Sequence, residues 1–324
     1  MKKVTIRDVA QLAGVSVSTV SQALNDYAEI SQATRDRVFR AARELGYSPS
    51  LAARTLSTKR KRTIALILNE INVTRGVAMP LEILNGVIET LDKTDYEFVF
   101  YATNLRKQQE KTLGQFLDEH ALAGIVIQGL SLSEPYYQEL ETIDLPVVTI
   151  DLNIKNPRIG TVSIDNEAAG FEVCQRLLQA GYQRICFVNG SNDATVSLAR
   201  EAGVRRALPE NPTVVYAAFS EMAAYEWALG FEEDFEAIFA ASDLMAIGII
   251  KALKERDLIG KIAVVGFDDI TLASYITPTL TTVRQDAYAL ARRATLNLLA
   301  EIEGEVVKNS IEPYEIIVRE SAVI

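Results

Sequence analysis

The stretch VSVSTVSQALN, from Val15 to Asn25, sets small hydroxyl side chains (Ser16, Ser18, Thr19, Ser21) between valines and adds the amide of Gln22. Such groups donate and accept hydrogen bonds at close range without bulk or fixed charge. At helical spacing Val20 and Leu24 face inward, so Val17, Ser18, Ser21 and Gln22 face outward. A face this small and polar can come close to the edges of stacked bases, where an amide makes a bidentate contact with adenine. A three-helix bundle used for protein contacts fits the same periodicity.

The neighbouring residues supply the elements that would hold this face. Thr5 is placed to cap a helix whose third position is Asp8, with Ile6, Val9, Ala10 and Ala13 recurring at helical spacing. Gly14 supplies a sharp turn, and Ser16 caps a second helix with Val15 and Val20 as a hydrophobic staple. Ser31 opens a third helix with Val38, Ala42 and Leu45 as its buried stripe, and Gly46 closes it. Two short helices joined by a tight turn and backed by a third predict an all-α helix-turn-helix head over residues 1–46.

Charge separates this head from the rest. The chain has 324 residues and a formal charge of -10, yet residues 1–62 carry 12 Lys+Arg against 5 Asp+Glu, and residues 63–324 carry 21 against 38. A basic head on an acidic body points to nucleic acid. No apolar run approaches the roughly 20 residues that span a bilayer, and the N-terminus does not read as a signal peptide. A cytoplasmic, nucleoid-associated protein is expected, with no membrane partner. His120 is the only histidine, which argues against a histidine triad or metal cluster. Cys174 and Cys186 lie in apolar periodic stretches and read as buried thiols. No cofactor is expected.

VTIRDVAQLAGVSVSTVSQALN, followed by ISQATRDRVFRAARELGYSPSLAARTLST, resembles the N-terminus of the lactose-repressor (LacI/GalR) family of bacterial transcription regulators. The family pattern T-I-x-D-V-A-x-x-A-G-V-S-x-x-T-V-S-R-x-L-N aligns without a gap. The resemblance implies that Val17, Ser18 and Gln22 stand at the base-reading positions, and that Thr19, Ser21 and Asn25 help seat the helix on phosphates or the turn. Gln22 replaces the usual arginine, which shifts the expected preference from guanine to adenine. Thr5, Ser16 and Ser31 complete the DNA-binding set as the caps of the three helices.

Residues 47–62 form the next segment. After Pro49 only about two helical turns fit, with Ser50 as N-cap, and so short a helix is marginal alone. The basic run Lys59–Arg62 follows, and an ordinary polar linker is the plainer reading. In the resembling family this segment is a hinge helix that orders on DNA when two subunits meet over the minor groove. Leu56 matches its wedging leucine and Ala53 its close helix–helix contact.

From Thr63 onward, short apolar runs (TIALIL, YEFVFYAT, AGIVIQG, LPVVTID, TVSID, RICFVNG, VVYAAF, AIFAASD, IAVVGFDD) alternate with amphipathic stretches. Such alternation predicts doubly wound α/β sheets, here too many strands for one, hence two lobes with ligand at the strand ends between them. ASDLMAIGIIKALKERDLIGKIAVVGFDDITLASYITPTLTTVRQD and the closing IVRES resemble blocks of the same family. They imply a type I periplasmic-binding-protein-like core over 63–324. Its first lobe is expected at about 63–160 plus 284–311, and its second at about 161–283 plus 312–324.

Within that core, Asp268 closes a strand and offers a carboxylate to vicinal hydroxyls at a position the family uses for ligand. Arg200 matches the arginine that anchors effector. Ser242 stands where many members have asparagine, with Asp243 read as a helix cap. Phe219 is expected to end a strand, either stacking on a sugar or filling core. After the first strand the family often reads N-P-F-F; here NEINVTRGVAMP leaves Asn69, Arg75 and Met79 near that place. Asp165 and Asn166 are read as caps.

These readings converge on a homodimeric repressor that binds a palindromic double-stranded operator and answers a small-molecule effector, a carbohydrate. The absence of appended leucine heptads favours a dimer over a tetramer. A sugar-binding receptor or a sugar-processing enzyme on the same fold are the alternatives. The enzyme lacks a nucleophile motif or phosphate loop. If Leu56 wedges into the duplex, Leu56→Ala weakens binding to the specific site more than to nonspecific DNA. Titrations on both DNAs check this, and an equal loss contradicts the wedge.

Overall fold

The computed structural model describes residues 4–24, 27, 29–47, 62–70 and 79–324, less 209, 211, 233 and 307. Asn25, Ala53, Leu56, Arg75 and nearly all of the 47–62 hinge segment lie outside the described residues. The chain divides into two compact units, Met1–Arg62 and Thr63–Ile324.

The first unit contains α1 (Ile6–Ala13), α2 (Val17–Leu24) and α3 (Gln32–Leu45). Val9, Val20, Ala23 and Val38 are wholly buried and form its small core with Ala10, Ala13, Ala41 and Ala42. Gly14 and Gly46 adopt left-handed backbone, with φ of 64° and 63°, and end α1 and α3. A side chain at either position would be strained, so glycine makes the turns sharp.

The second unit holds two six-stranded sheets. The first joins β1 (Thr63–Asn69), β2 (Glu97–Thr103), β3 (Leu122–Gln128), β4 (Val147–Ile150), β5 (Ile159–Ile164) and β11 (Ser310–Glu312) in the order β2-β1-β3-β4-β5-β11. The second joins β6 (Ile185–Asn189), β7 (Thr213–Tyr216), β8 (Ala237–Ala240), β9 (Ala263–Asp268), β10 (Thr281–Gln285) and β12 (Tyr314–Ile317) in the order β7-β6-β8-β9-β10-β12. The two orders are the same, and only β12 runs antiparallel to its neighbour.

Side chains alternate faces along a strand, and β1 shows the result. Ile64, Leu66 and Leu68 join the cluster containing α4 (Met79–Leu91) and α12 (Ala287–Ile302). Ala65 and Ile67 join the cluster containing α6 (Leu113–His120) and α7 (Pro135–Leu140), next to α5 (Leu105–Glu110). The second sheet is covered by α8 (Asn166–Gln179), α9 (Thr195–Ala207), α10 (Glu221–Gly230) and α11 (Asp243–Glu255).

The chain passes between the sheets three times: after Ile164, between Gln285 and Ala287, and between Glu312 and Tyr314. The expected lobe limits fall a few residues short at the first crossing. Strand β5 pairs with β4 and β11 along residues 159–164, so the chain leaves the first sheet after Ile164, not at 160. Cys174 and Cys186 are both buried free thiols. Among the described residues no helix is long and apolar enough to cross a membrane.

Glycine also sets how closely the helices approach. A Cβ on Gly203 would lie 2.0 Å from the Glu167 carbonyl oxygen, and one on Gly170 would lie 2.5 Å from that of Arg200. Helices α8 and α9 therefore meet backbone to backbone. Gly203→Ala should destabilise the core by about 1–3 kcal/mol through overpacking, lowering its thermal midpoint. An unchanged midpoint would show that the pair can separate freely.

Candidate functional site

The head presents its polar face through a set of caps. Thr5 donates from both its backbone N–H and its Oγ1 to the Asp8 carboxylate, at 2.8 and 2.7 Å. Ser16 Oγ accepts from Thr19 N at 3.1 Å and shares hydrogen bonds with the Ser18 and Thr19 hydroxyls at 2.7 and 2.8 Å. Ser31 Oγ accepts from Thr34 N and starts α3. Val17 is 41% exposed and Ser18 is exposed beside it, while Thr19, Ser21 and Gln22 are half-buried. The first turn of α2 thus carries a compact group of hydroxyls at the positive end of a helix, which suits contact with oxygen acceptors.

In the core, the side chains that converge do so around Arg200. This residue is 3% exposed and sits on α9. Its Nε donates to Asn166 Oδ1 at 2.8 Å, its Nη1 donates to the Ala241 carbonyl at 2.6 Å, and its guanidinium lies 3.5 Å over the Phe267 ring. Asp268, Asp151 and Asp243 act on it electrostatically, while burial pulls its pKa down. Burial pushes the Asp268 carboxyl up to about 6, against the opposing pull of Arg200 and of Gln285, whose Nε2 donates to Asp268 Oδ1 at 2.7 Å. Asp151 and Asp243 are also raised, again chiefly by burial.

A polar chain links this centre to the first lobe. Asn166 Nδ2 donates to Ser163 Oγ at 3.1 Å, and Ser163 Oγ donates to Asp151 Oδ1 at 2.5 Å. Thr195, at the start of α9, donates to the Asp151 carbonyl at 2.5 Å. At the rim, Leu132 N donates to the Asp193 carbonyl, and the Ser133 backbone and hydroxyl donate to the Asp193 carboxylate. Asp151 and Asp268 both hold positive φ, 61° and 115°. Such backbone costs free energy in a residue with a Cβ and gathers at functional sites.

Two cavities border the cluster. One of about 700 Å³ is lined by Asp151, Ser163, Asn166 and Thr195 among others. The second, about 410 Å³, is lined by Met79, Glu82, Asp268, Gln285, Asp286 and Tyr288 among others. Carboxylates outnumber cations in both linings.

The structure places the remaining expected residues differently. Asn69, 8% exposed, gives its amide N–H groups to Glu134 and the Gly129 carbonyl and accepts from Gln108 Nε2, so its polar atoms are already engaged. Phe219 does not end a strand: β7 stops at Tyr216, and Phe219 follows in a turn at φ 55°. Its ring fills the space where a side chain on Gly190 would stand. The cap expected at Asp243 is Ser242 instead. Ser242 is the cap of α11, accepting from Met245 N, and the Asp243 carboxylate is buried, accepting from Thr282 Oγ1 at 2.6 Å and Ile270 N at 2.8 Å. Asp165 is a cap as expected, whereas Asn166 holds Arg200. Asp151 and Gln285 are not among the expected contacts, although Asp151 ends the legible strand run LPVVTID.

Comparison with known proteins agrees with this architecture. Residues 5–50 match the model of bacterial regulatory proteins of the lacI family, and residues 174–322 match a periplasmic binding protein-like domain. The chain is 34% identical over 319 residues to the HTH-type transcriptional regulator CelR of Thermobifida fusca, covering 94% of this chain and 93% of that one. A CelR–cellobiose complex superimposes with a TM-score of 0.72 at 30% identity, covering 99% of this chain and 100% of that one. The lac repressor dimer bound to operator and the anti-inducer ONPF superimposes with a TM-score of 0.85 at 25% identity, covering 99% of each chain. The chain belongs to the lacI family of bacterial transcriptional regulators, with a helix-turn-helix DNA-binding head and a periplasmic-binding-protein-like core.

Proposed function

We propose that the chain is a homodimeric repressor whose hold on a palindromic operator is set by a neutral sugar of more than one ring, bound between the lobes. The observation that carries this is that Asp151 and Asp268, both acting electrostatically on the buried Arg200, each line one of the two interlobe cavities. A carboxylate accepts from vicinal hydroxyls and a guanidinium donates to ring or hydroxyl oxygens, so a polyol satisfies both. The surplus of carboxylates along both cavities opposes a phosphorylated or carboxylated ligand. Two cavities bordering one cluster suit a disaccharide better than a single pyranose, in keeping with the relative solved with cellobiose.

In this reading Thr5, Ser16, Thr19, Ser21, Asn25 and Ser31 seat the head on the duplex. Val17, Ser18 and Gln22 read bases, and Ala53 and Leu56 serve the hinge. Arg200 and Asp268 grip the effector, joined by Asp151 and Gln285. Met79 lines the second cavity, and Arg75 and Phe219 are carried as effector contacts on the family resemblance alone. Asn69 and Ser242 act one step back, by fixing the strand end and the helix cap beside it. Dimerisation supplies the two half-site contacts a palindrome requires. A repressor of this kind works in the cytoplasm on nucleoid DNA.

Two outcomes follow. Cellobiose should raise the thermal midpoint of the full-length protein and alter its operator affinity, whereas glucose 6-phosphate does neither through this pocket. Asp268→Asn should weaken the sugar at least about tenfold while leaving ligand-free operator binding intact. Stabilisation by anionic compounds alone, with Asp268→Asn neutral, would sink the neutral-sugar reading.

The pH dependence has a definite sign. The Asp268 carboxyl titrates near 6, above its ordinary value of 3.8, so the ligand-free native state keeps a proton that the unfolded chain has released. Stability of the ligand-free core should therefore fall as pH rises from about 4 to about 6. Sugar affinity should run the other way, weakening toward tenfold per pH unit below about 6 as the acceptor is protonated. Calorimetric titration across that window checks both, and an affinity independent of pH contradicts the role of Asp268.

A further inference from the structure

A third cavity, of about 280 Å³, opens beside the C-terminal end of β2, among α5, α6 and α7. It shares no lining residue with the two interlobe cavities and takes none from the second lobe. One wall is aromatic and fixed. The rings of Tyr101 and Phe116 meet edge to face at 4.7 Å, His120 lies 4.6 Å from Phe116, and Tyr101 Oη shares a 2.9 Å hydrogen bond with His120 Nδ1.

The rest of the lining is polar and incompletely used. Tyr136 is 3% exposed, yet its hydroxyl has no hydrogen-bond partner among the described residues. That oxygen is not itself buried and opens onto the cavity. Lys107 spends one donor on the Ala102 carbonyl, and Lys111 pairs with Glu119. The one carboxylate in the lining, Glu110, is engaged by Arg106 at 2.6 Å.

We propose that this cavity is a second small-molecule site, separate from the effector pocket, for a single-ring compound bearing an anionic group. The ring lies on the Tyr101–Phe116–His120 wall, the anion meets the Lys107 and Lys111 ammonium groups, and a ring oxygen accepts the free Tyr136 hydroxyl. The volume stands at the low end of pockets that hold small molecules, which limits the occupant to one ring. Phosphorylated pyranoses and aromatic carboxylates share this chemistry.

His120 is the only histidine of the chain, so its ring proton resonances report on this wall alone. The full-length protein is titrated with glucose 6-phosphate and with 4-hydroxybenzoate, with glucose and inorganic phosphate as controls. At least one ringed anion should shift the His120 resonance saturably, and which one does so identifies the source of the chemistry. Neither control should match it. Lys107→Gln combined with Lys111→Gln should weaken that binding at least about tenfold, and the conservative Tyr136→Phe should weaken it about threefold or more. Asp268→Asn, which removes the interlobe sugar response, should leave the His120 titration unchanged. The proposal is overturned if neither ringed anion moves the resonance, if phosphate alone acts as well, or if the lysine substitutions leave affinity intact.

Discussion

A guanidinium taken out of water organises the core. Isolated, such a charge would cost more free energy than a domain can spare. Arg200 persists because its surroundings replace water in detail: an amide oxygen, a backbone carbonyl, an aromatic face and three nearby carboxyls. Those carboxyls come from the end of β9, the start of α11 and the residue after β4, so three distant pieces of chain bring negative charge toward one cation. Burial raises all three carboxyl groups, and neighbouring carboxylates add to the rise at Asp243 and Asp268. A ligand that donates hydrogen bonds to them relieves that cost.

Much of this was legible in the sequence. Caps and turns are local chemistry, so Thr5, Gly14, Ser16, Ser31 and Gly46 could be read from residue type and spacing, and the structure shows each where the spacing put it. The strand runs of the core were equally plain, because a strand covered on both faces is apolar throughout. Asp268 and Arg200 were identified by family resemblance, and Asp268 also by its place at a strand end.

What escaped was whatever depends on contacts distant in sequence. Asn166 and Asp165 are adjacent and both suit a cap; which one caps and which reaches Arg200, 34 residues on, is decided by the packing of α8 on α9. The same holds at Ser242 and Asp243, where Thr282 and Ile270 claim the carboxylate. Asn69 looked free to meet ligand, but Gln108 and Glu134 absorb its amide. Asp151 carried a signal that was passed over: an acid ending an apolar strand run, at the end of the sheet where doubly wound folds bind.

The three crossings between the sheets have a mechanical consequence. Three connections allow the two lobes fewer relative motions than one would, and leave the crossings as the pivot. Two of the three carry groups of the Arg200 network itself: Asn166 just beyond the first crossing and Gln285 at the edge of the second. An occupant that engages this network therefore pushes on the pivot and not on the tips of the jaws. A sub-ångström adjustment at the pivot is multiplied along the length of each lobe, as a short displacement beside a door's hinge sweeps its far edge through a wide arc.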